Sequence, residues 1–138
     1  MGDVIQGKAV IAGQAEGQVL VSDEPLSFWG GYDYHTGEIT DRHHPLSGSM
    51  AAGYILAVPF SRGSSTTTAV LLEAARAGTA PAAFVTTAVD PFFALASIVA
   101  NVLYARPIPV ISVAPLDFAR LRTGDRLRIE KDGYIQVM

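Results

Sequence analysis

The chain has 138 residues, 49% of them hydrophobic and 17% charged, which is enough for one packed domain spanning 1–138 and short for two. Lys and Arg number 10 against 13 Asp and Glu, a formal net charge of −3, so the basic excess that draws a protein to phosphate backbones is missing and no nucleic-acid partner is expected. With no cysteine, the chain by itself offers no disulfide, no thiol nucleophile, no thiolate zinc site and no iron–sulfur cluster ligation.

Residues 1–6, Met-Gly-Asp-Val-Ile-Gln, lack the cationic stretch and apolar core of a secretory signal, and Gln6 stands where a myristoylation pattern wants Ser or Thr. The longest uncharged apolar run, 91–105, falls short of the ~20 residues that span a bilayer. A soluble, cytoplasmic protein without a membrane partner is expected. The mean hydropathy of +0.29 is high for such a domain and implies apolar surface for another protein to cover.

In chain order, Ala9-Val10-Ile11 and Gln18-Val19-Leu20-Val21 read as strands meeting at a tight turn near Gly13 and Gly17. Residues 23–50 sustain no period. Glycines and prolines punctuate them, Phe28, Trp29, Tyr32 and Tyr34 crowd their middle, and only Glu38-Ile39-Thr40 suggests a short strand, so this long loop is a functional candidate. Tyr54-Ile55-Leu56-Ala57-Val58 is a strand buried on both faces. A hydroxyl-rich turn follows over 61–68, then an amphipathic helix from Ala69 with Gly78 as its stop. Residues 82–87 read as a strand, 92–104 as a mostly buried helix and 108–113 as a strand, continuing the β-α-β alternation. Residues 125–130 and 134–137 alternate with period 2 across Asp132-Gly133 and predict a solvent-facing hairpin. The sum is an α+β domain with strands at both ends and helices in the middle.

Among groups that carry chemistry, the strand-to-helix turn Arg62-Gly63-Ser64-Ser65-Thr66 is the most pointed. A helix start offers unpaired N–H groups and partial positive charge, Gly63 permits close approach to the backbone, and Arg62 adds a permanent charge, together a cradle for a carboxylate or phosphate. A serine there sits in a field that stabilises its alkoxide. Helix capping by Ser65, Thr66 or Thr67 is the plainer alternative. His43 and His44, with His35, Asp33 and Asp41 near, invite a metal, but adjacent residues of an extended chain point apart, so a structural or pocket-lining histidine is expected and no metal site is assigned. Trp29 is either a core plug or part of an interface. No nucleophile-elbow sequence accompanies Ser64, which argues against a hydrolase, and the acidic residues Asp23, Glu24, Glu73, Asp90, Asp117 and Asp125 read for the most part as solvated surface.

Taken together, Ala15-Glu16-Gly17, the run from Ser22 to Gly31, Asp33, Thr36-Gly37, His43-His44-Pro45, Arg62-Gly63-Ser64-Ser65 and Gly124-Asp125 resemble the small, swivel-domain subunit of aconitase X-type dehydratases over nearly the whole chain. The resemblance implies a swivelling β/β/α domain and a larger catalytic subunit whose cysteines hold an iron–sulfur cluster. It also implies activity only in that complex, on a small hydroxy-carboxylate substrate. By motif position it makes Ser64 the proton-abstracting base and Ser65 a holder of substrate carboxylate, with Arg62, Gly63 and Thr66 completing the substrate-binding turn. Ser61 stands where family members often carry Gly, and Thr66-Thr67-Thr68 where more Ser or Gly is the pattern. The Trp29 loop, His43-His44-Pro45 and the Ser/Thr run favour a cis-3-hydroxy-L-proline dehydratase. The alternatives are the small subunit of a mevalonate 5-phosphate dehydratase and, from a different class, a non-catalytic swivel-like binding or regulatory module.

Overall fold

The computed structural model describes residues 3–62 and 66–138. In chain order the strands before the first helix are β1 (Val4–Gln6), β2 (Lys8–Ile11), β3 (Ala15–Val21), β4 (Leu26–Ser27), β5 (Tyr32–Asp33), β6 (Glu38–Ile39), β7 (Ile55–Ala57) and β8 (Ser61–Arg62). Then come α1 (Thr66–Ala77), β9 (Ala83–Thr86), α2 (Pro91–Tyr104), β10 (Val110–Ser112), the short α3 (Pro115–Phe118), β11 (Arg126–Ile129) and β12 (Tyr134–Val137).

The main sheet has eight strands in the order β1-β12-β11-β3-β7-β9-β10-β2. Its outermost strands, β1 and β2, are separated in sequence by Gly7 alone, so the sheet must fold over on itself into two layers. β3 forms the other corner: residues 15–18 pair antiparallel with β11, and residues 19–21 pair parallel with β7. At the Gly7 corner a Cβ would stand 2.5 Å from Ile111 Cγ2 and 3.0 Å from the Ser112 carbonyl oxygen, so only glycine passes.

The pleat divides the core in two. Ile55 and Ala57 of β7 and Ala83 and Val85 of β9 point between the layers, where they meet Ile5, Ile111, Leu127, Ile129 and Ile135. Leu56 and Phe84, one residue out of phase, point the other way and pack against Val70, Leu71 and Ala74 of α1 and Phe93 and Ala96 of α2. Strands buried on both faces with crossover helices on one side are the signature of parallel β-α-β units, and β7, β9 and β10 are indeed parallel. The three layers are strand, strand and helix, as the α+β, β/β/α expectation has it.

Several sequence expectations need correction. β2 and β3 do not form a hairpin: β2 crosses to the far edge and pairs antiparallel with β10. Gly13 permits this by letting Pro109 pass where a Cβ would lie 2.7 Å from its Cγ. α1 begins at Thr66 rather than Ala69, with Thr67 and Thr68 buried in its first turn. α2 is not mostly buried. Phe93, Ala96, Ser97 and Ala100 face the sheet, while Leu95, Ile98, Val102 and Leu103 are exposed. An uncharged helix cannot reveal by periodicity which of its apolar faces is covered. The closing hairpin shows solvent only one face, since Leu127, Ile129 and Ile135 are in the inter-sheet core.

Candidate functional site

The loop over residues 23–50 is fastened from within by Phe28. This ring is 0% exposed, makes edge contacts with Phe93 (centroids 5.5 Å apart) and Phe84 (6.2 Å), and is tilted against Tyr32 (5.2 Å). Burial pushes the Tyr32 phenol well above its usual range, and its hydroxyl donates to the Thr79 carbonyl at 2.8 Å. The next residue, Trp29, is 72% exposed, ahead of Gly30 at φ +74°. Trp29 is therefore no core plug, and of the aromatic pair only Trp29 faces outward.

The histidines separate as adjacent residues should. His44 is buried; the Leu46 N–H donates to its Nδ1 at 3.1 Å, so its Nε2 carries the proton and donates to the Glu24 carbonyl at 3.2 Å. It is a structural residue that pins one part of the loop to another. His43 is exposed and lines a shallow cleft with Ser27, Trp29, Gly31, Thr40 and Asp41.

Of the turn singled out in the sequence, Gly63, Ser64 and Ser65 lie outside the described residues. Its two ends are fixed. Arg62, exposed at the end of β8, pairs in parallel register with Ser27 of β4. Thr66, also exposed, opens α1. Both ends lie beyond the carboxyl termini of the parallel strands, where open α/β sheets bind ligands. Phe60 after β7, Val89 after β9 and Leu116 after β10 are exposed apolar side chains on the segments that leave the same strand ends.

Asp90 was expected among the solvated acids and is not one of them. It is 4% exposed and sits at the N-cap of α2, where its side chain accepts from the N–H groups of Phe92 (2.9 Å) and Phe93 (3.0 Å). Its other oxygen accepts from the Ser61 N–H and hydroxyl. The signal that finds it is local: Asp followed by Pro and an apolar run is an N-cap with proline at the first helical position.

Residues 4–137 match the family model of the aconitase X swivel domain. The chain belongs to the aconitase X swivel-domain family. The swivel domain superposes on Thermococcus kodakaraensis aconitase X in its holo form with a TM-score of 0.88 and 31% identity, covering 99% of both chains. It is 41% identical over 136 residues, 94% of its length, to cis-3-hydroxy-L-proline dehydratase of Pseudomonas aeruginosa, and spans 23% of that protein's length. It is 36% identical to the phosphomevalonate dehydratase small subunit of Thermococcus gammatolerans, covering 97% of each. The swivel domain has no thiolate for an iron–sulfur cluster, and its described His, Asp and Glu residues form no group of three that would hold a metal ion. Its own residues therefore do not fit such a cluster. Among the described residues no helix is long and apolar enough to cross a membrane.

Proposed function

We propose that this chain is the small subunit of a two-subunit hydro-lyase that dehydrates a 3-hydroxy carboxylate, cis-3-hydroxy-L-proline first, with the iron–sulfur cluster on the larger subunit. The observation that carries the substrate choice is the 41% identity to a cis-3-hydroxy-L-proline dehydratase across 94% of the chain. The full-length correspondence to a phosphomevalonate dehydratase small subunit, at 36% identity, favours mevalonate 5-phosphate as the second reading. Both substrates lose a proton from the carbon beside a carboxylate and a hydroxide from the next carbon.

In this reading Ser64, as alkoxide, takes the proton, the C–H electron pair becomes the new C=C bond, and the C–O bond breaks with hydroxide leaving. The start of α1 and the Arg62 guanidinium supply fixed positive charge where the second negative charge develops on the substrate. Ser65 and Thr66 hold the carboxylate, and Gly63 leaves room for it against the backbone. The exposed Trp29, with the apolar residues beyond the parallel strands, faces the larger subunit.

The test is to co-express the chain with a larger aconitase X-type subunit, isolate the iron-containing complex and assay both substrates. Dehydration of cis-3-hydroxy-L-proline by the complex, and by neither chain alone, is the expected result. Turnover of mevalonate 5-phosphate alone establishes the second reading. Turnover of neither leaves the chain a binding or regulatory module.

A further inference from the structure

We infer that Asp90 is a positioning residue for the substrate site proposed above, holding β8, the strand that carries Arg62, through Ser61 from the start of α2. The inference rests on the reading of the 62–66 turn as that site. A helix cap needs one acceptor oxygen, and Asp90 Oδ1 fills that need at Phe92 and Phe93. Oδ2 is spent elsewhere, on the Ser61 N–H at 2.6 Å and the Ser61 hydroxyl at 2.7 Å, both short bonds of the charge-assisted kind.

A buried carboxylate without such donors is costly, and among the described residues Asp90 has no ion-pair partner. Its charge is met by the α2 helix start and by Ser61, so releasing Ser61 would strand half of it. A further bond comes from α1, where the Thr68 hydroxyl donates to the Phe92 carbonyl at 3.3 Å. Ser61 and Thr68 are thus held by three bonds to the start of α2, two from Ser61 and one from Thr68. The Ser61 hydroxyl supplies one of the two bonds to Oδ2. A reacting group displaced by about 1 Å loses on the order of a hundredfold in rate, which is why the hold on Ser61, next to Arg62, bears on catalysis.

Asp90→Asn keeps an oxygen for the α2 cap and removes the acceptor for the Ser61 N–H; Ser61→Ala keeps that acceptor and removes the hydroxyl bond. In the reconstituted complex Asp90→Asn is expected to lower kcat tenfold or more with KM within about threefold and the melting temperature within a few degrees of wild type, Ser61→Ala falling between. Amide hydrogen exchange at Ser61 should quicken at least tenfold in Asp90→Asn while the α2 amides stay protected. A kcat within twofold of wild type, or an unchanged Ser61 exchange rate, overturns the inference. Should Asp90→Asn not fold, the kcat of Ser61→Ala decides, and a value within twofold of wild type overturns the inference. Should the wild-type complex dehydrate neither substrate, the proposed function fails separately, and the exchange rates alone decide whether Asp90 holds β8.

Discussion

Ser27 and Arg62 face each other in the two-stranded parallel pairing of β4 with β8. This pairing joins the two parts of the chain that the sequence separately marks as functional. The Ser27 hydroxyl also donates to the Trp29 carbonyl at 3.4 Å, so the turn that displays Trp29 is anchored at the residue paired with Arg62. Behind it Phe28 locks into the helix-side core against Phe84 and Phe93.

That arrangement separates two adjacent aromatics by measurement. Trp29→Ala should leave the melting temperature of the isolated chain near wild type, because the side chain is already in water, and weaken association with the larger subunit by about 2 kcal/mol or more. Phe28→Ala should instead cost roughly 3–5 kcal/mol of folding stability. Calorimetry on the chain and titration against the larger subunit read the two effects. A destabilised Trp29→Ala chain with undiminished association would refute the assignment.

The β-α-β centre was legible because β7 is an unbroken apolar run, β9 is apolar up to Thr86, and α1 is followed by a glycine, Gly78 at φ +79°. The closure of the sheet was not, because no local pattern states that the strands on either side of Gly7 end at opposite edges. Likewise Trp29 and Phe28 are indistinguishable as letters, and only the packing of Phe84 and Phe93 chooses between them. At the candidate site the placement of Arg62 just before a helix and of Thr66 at its start was readable from type and order. The capping role of Asp90 is written locally in Asp90-Pro91 and the apolar run after it, but its bonds to Ser61, 29 residues away, are not.

On the outer face of the sheet Glu16 accepts from Arg126 Nε and Nη2 at 3.1 and 3.0 Å and from Arg128 Nε at 3.1 Å. The hydrogen bond from Arg126, then that from Arg128, holds the Glu16 carboxyl below its ordinary 4.5. A carboxylate lowered in the folded state stabilises above its unfolded value and loses that contribution as pH falls through the folded one. Wild type should therefore melt slightly above Glu16→Gln at pH 7, with the gap closing as the pH falls below the ordinary glutamate value and through the lowered one. Since the group is exposed, added salt should shrink the gap as well. A gap that widens in acid contradicts the sign.

Gly7→Ala should destabilise by about 2 kcal/mol or more, because the new methyl meets Ile111 on one side and the Ser112 and Gly133 carbonyls on the other. The Gly7 N–H donates to the Gly133 carbonyl at 3.0 Å, so the corner cannot move away without opening the contact between the two layers. Denaturant unfolding measures the loss. Ala9→Gly, two residues on and outside the corner, serves as the comparison and should cost less.

The final prediction concerns the two serines of the turn in the reconstituted complex. A base acts on the proton in the transition state, whereas a hydroxyl that holds a carboxylate acts on substrate and transition state alike. Removing Ser64 should therefore strike kcat, and removing Ser65 should strike KM. We expect Ser64→Ala to lower kcat roughly a hundredfold or more with assembly and iron content unchanged, and Ser65→Ala to raise KM with kcat near wild type. Arg62→Ala should lower kcat and raise KM together, since its charge serves both the bound carboxylate and the charge that develops beside it. Steady-state kinetics on complexes matched for iron separates the three. Near-normal kcat in Ser64→Ala with full iron content would remove the base from this chain and leave the turn as an anchor for the substrate.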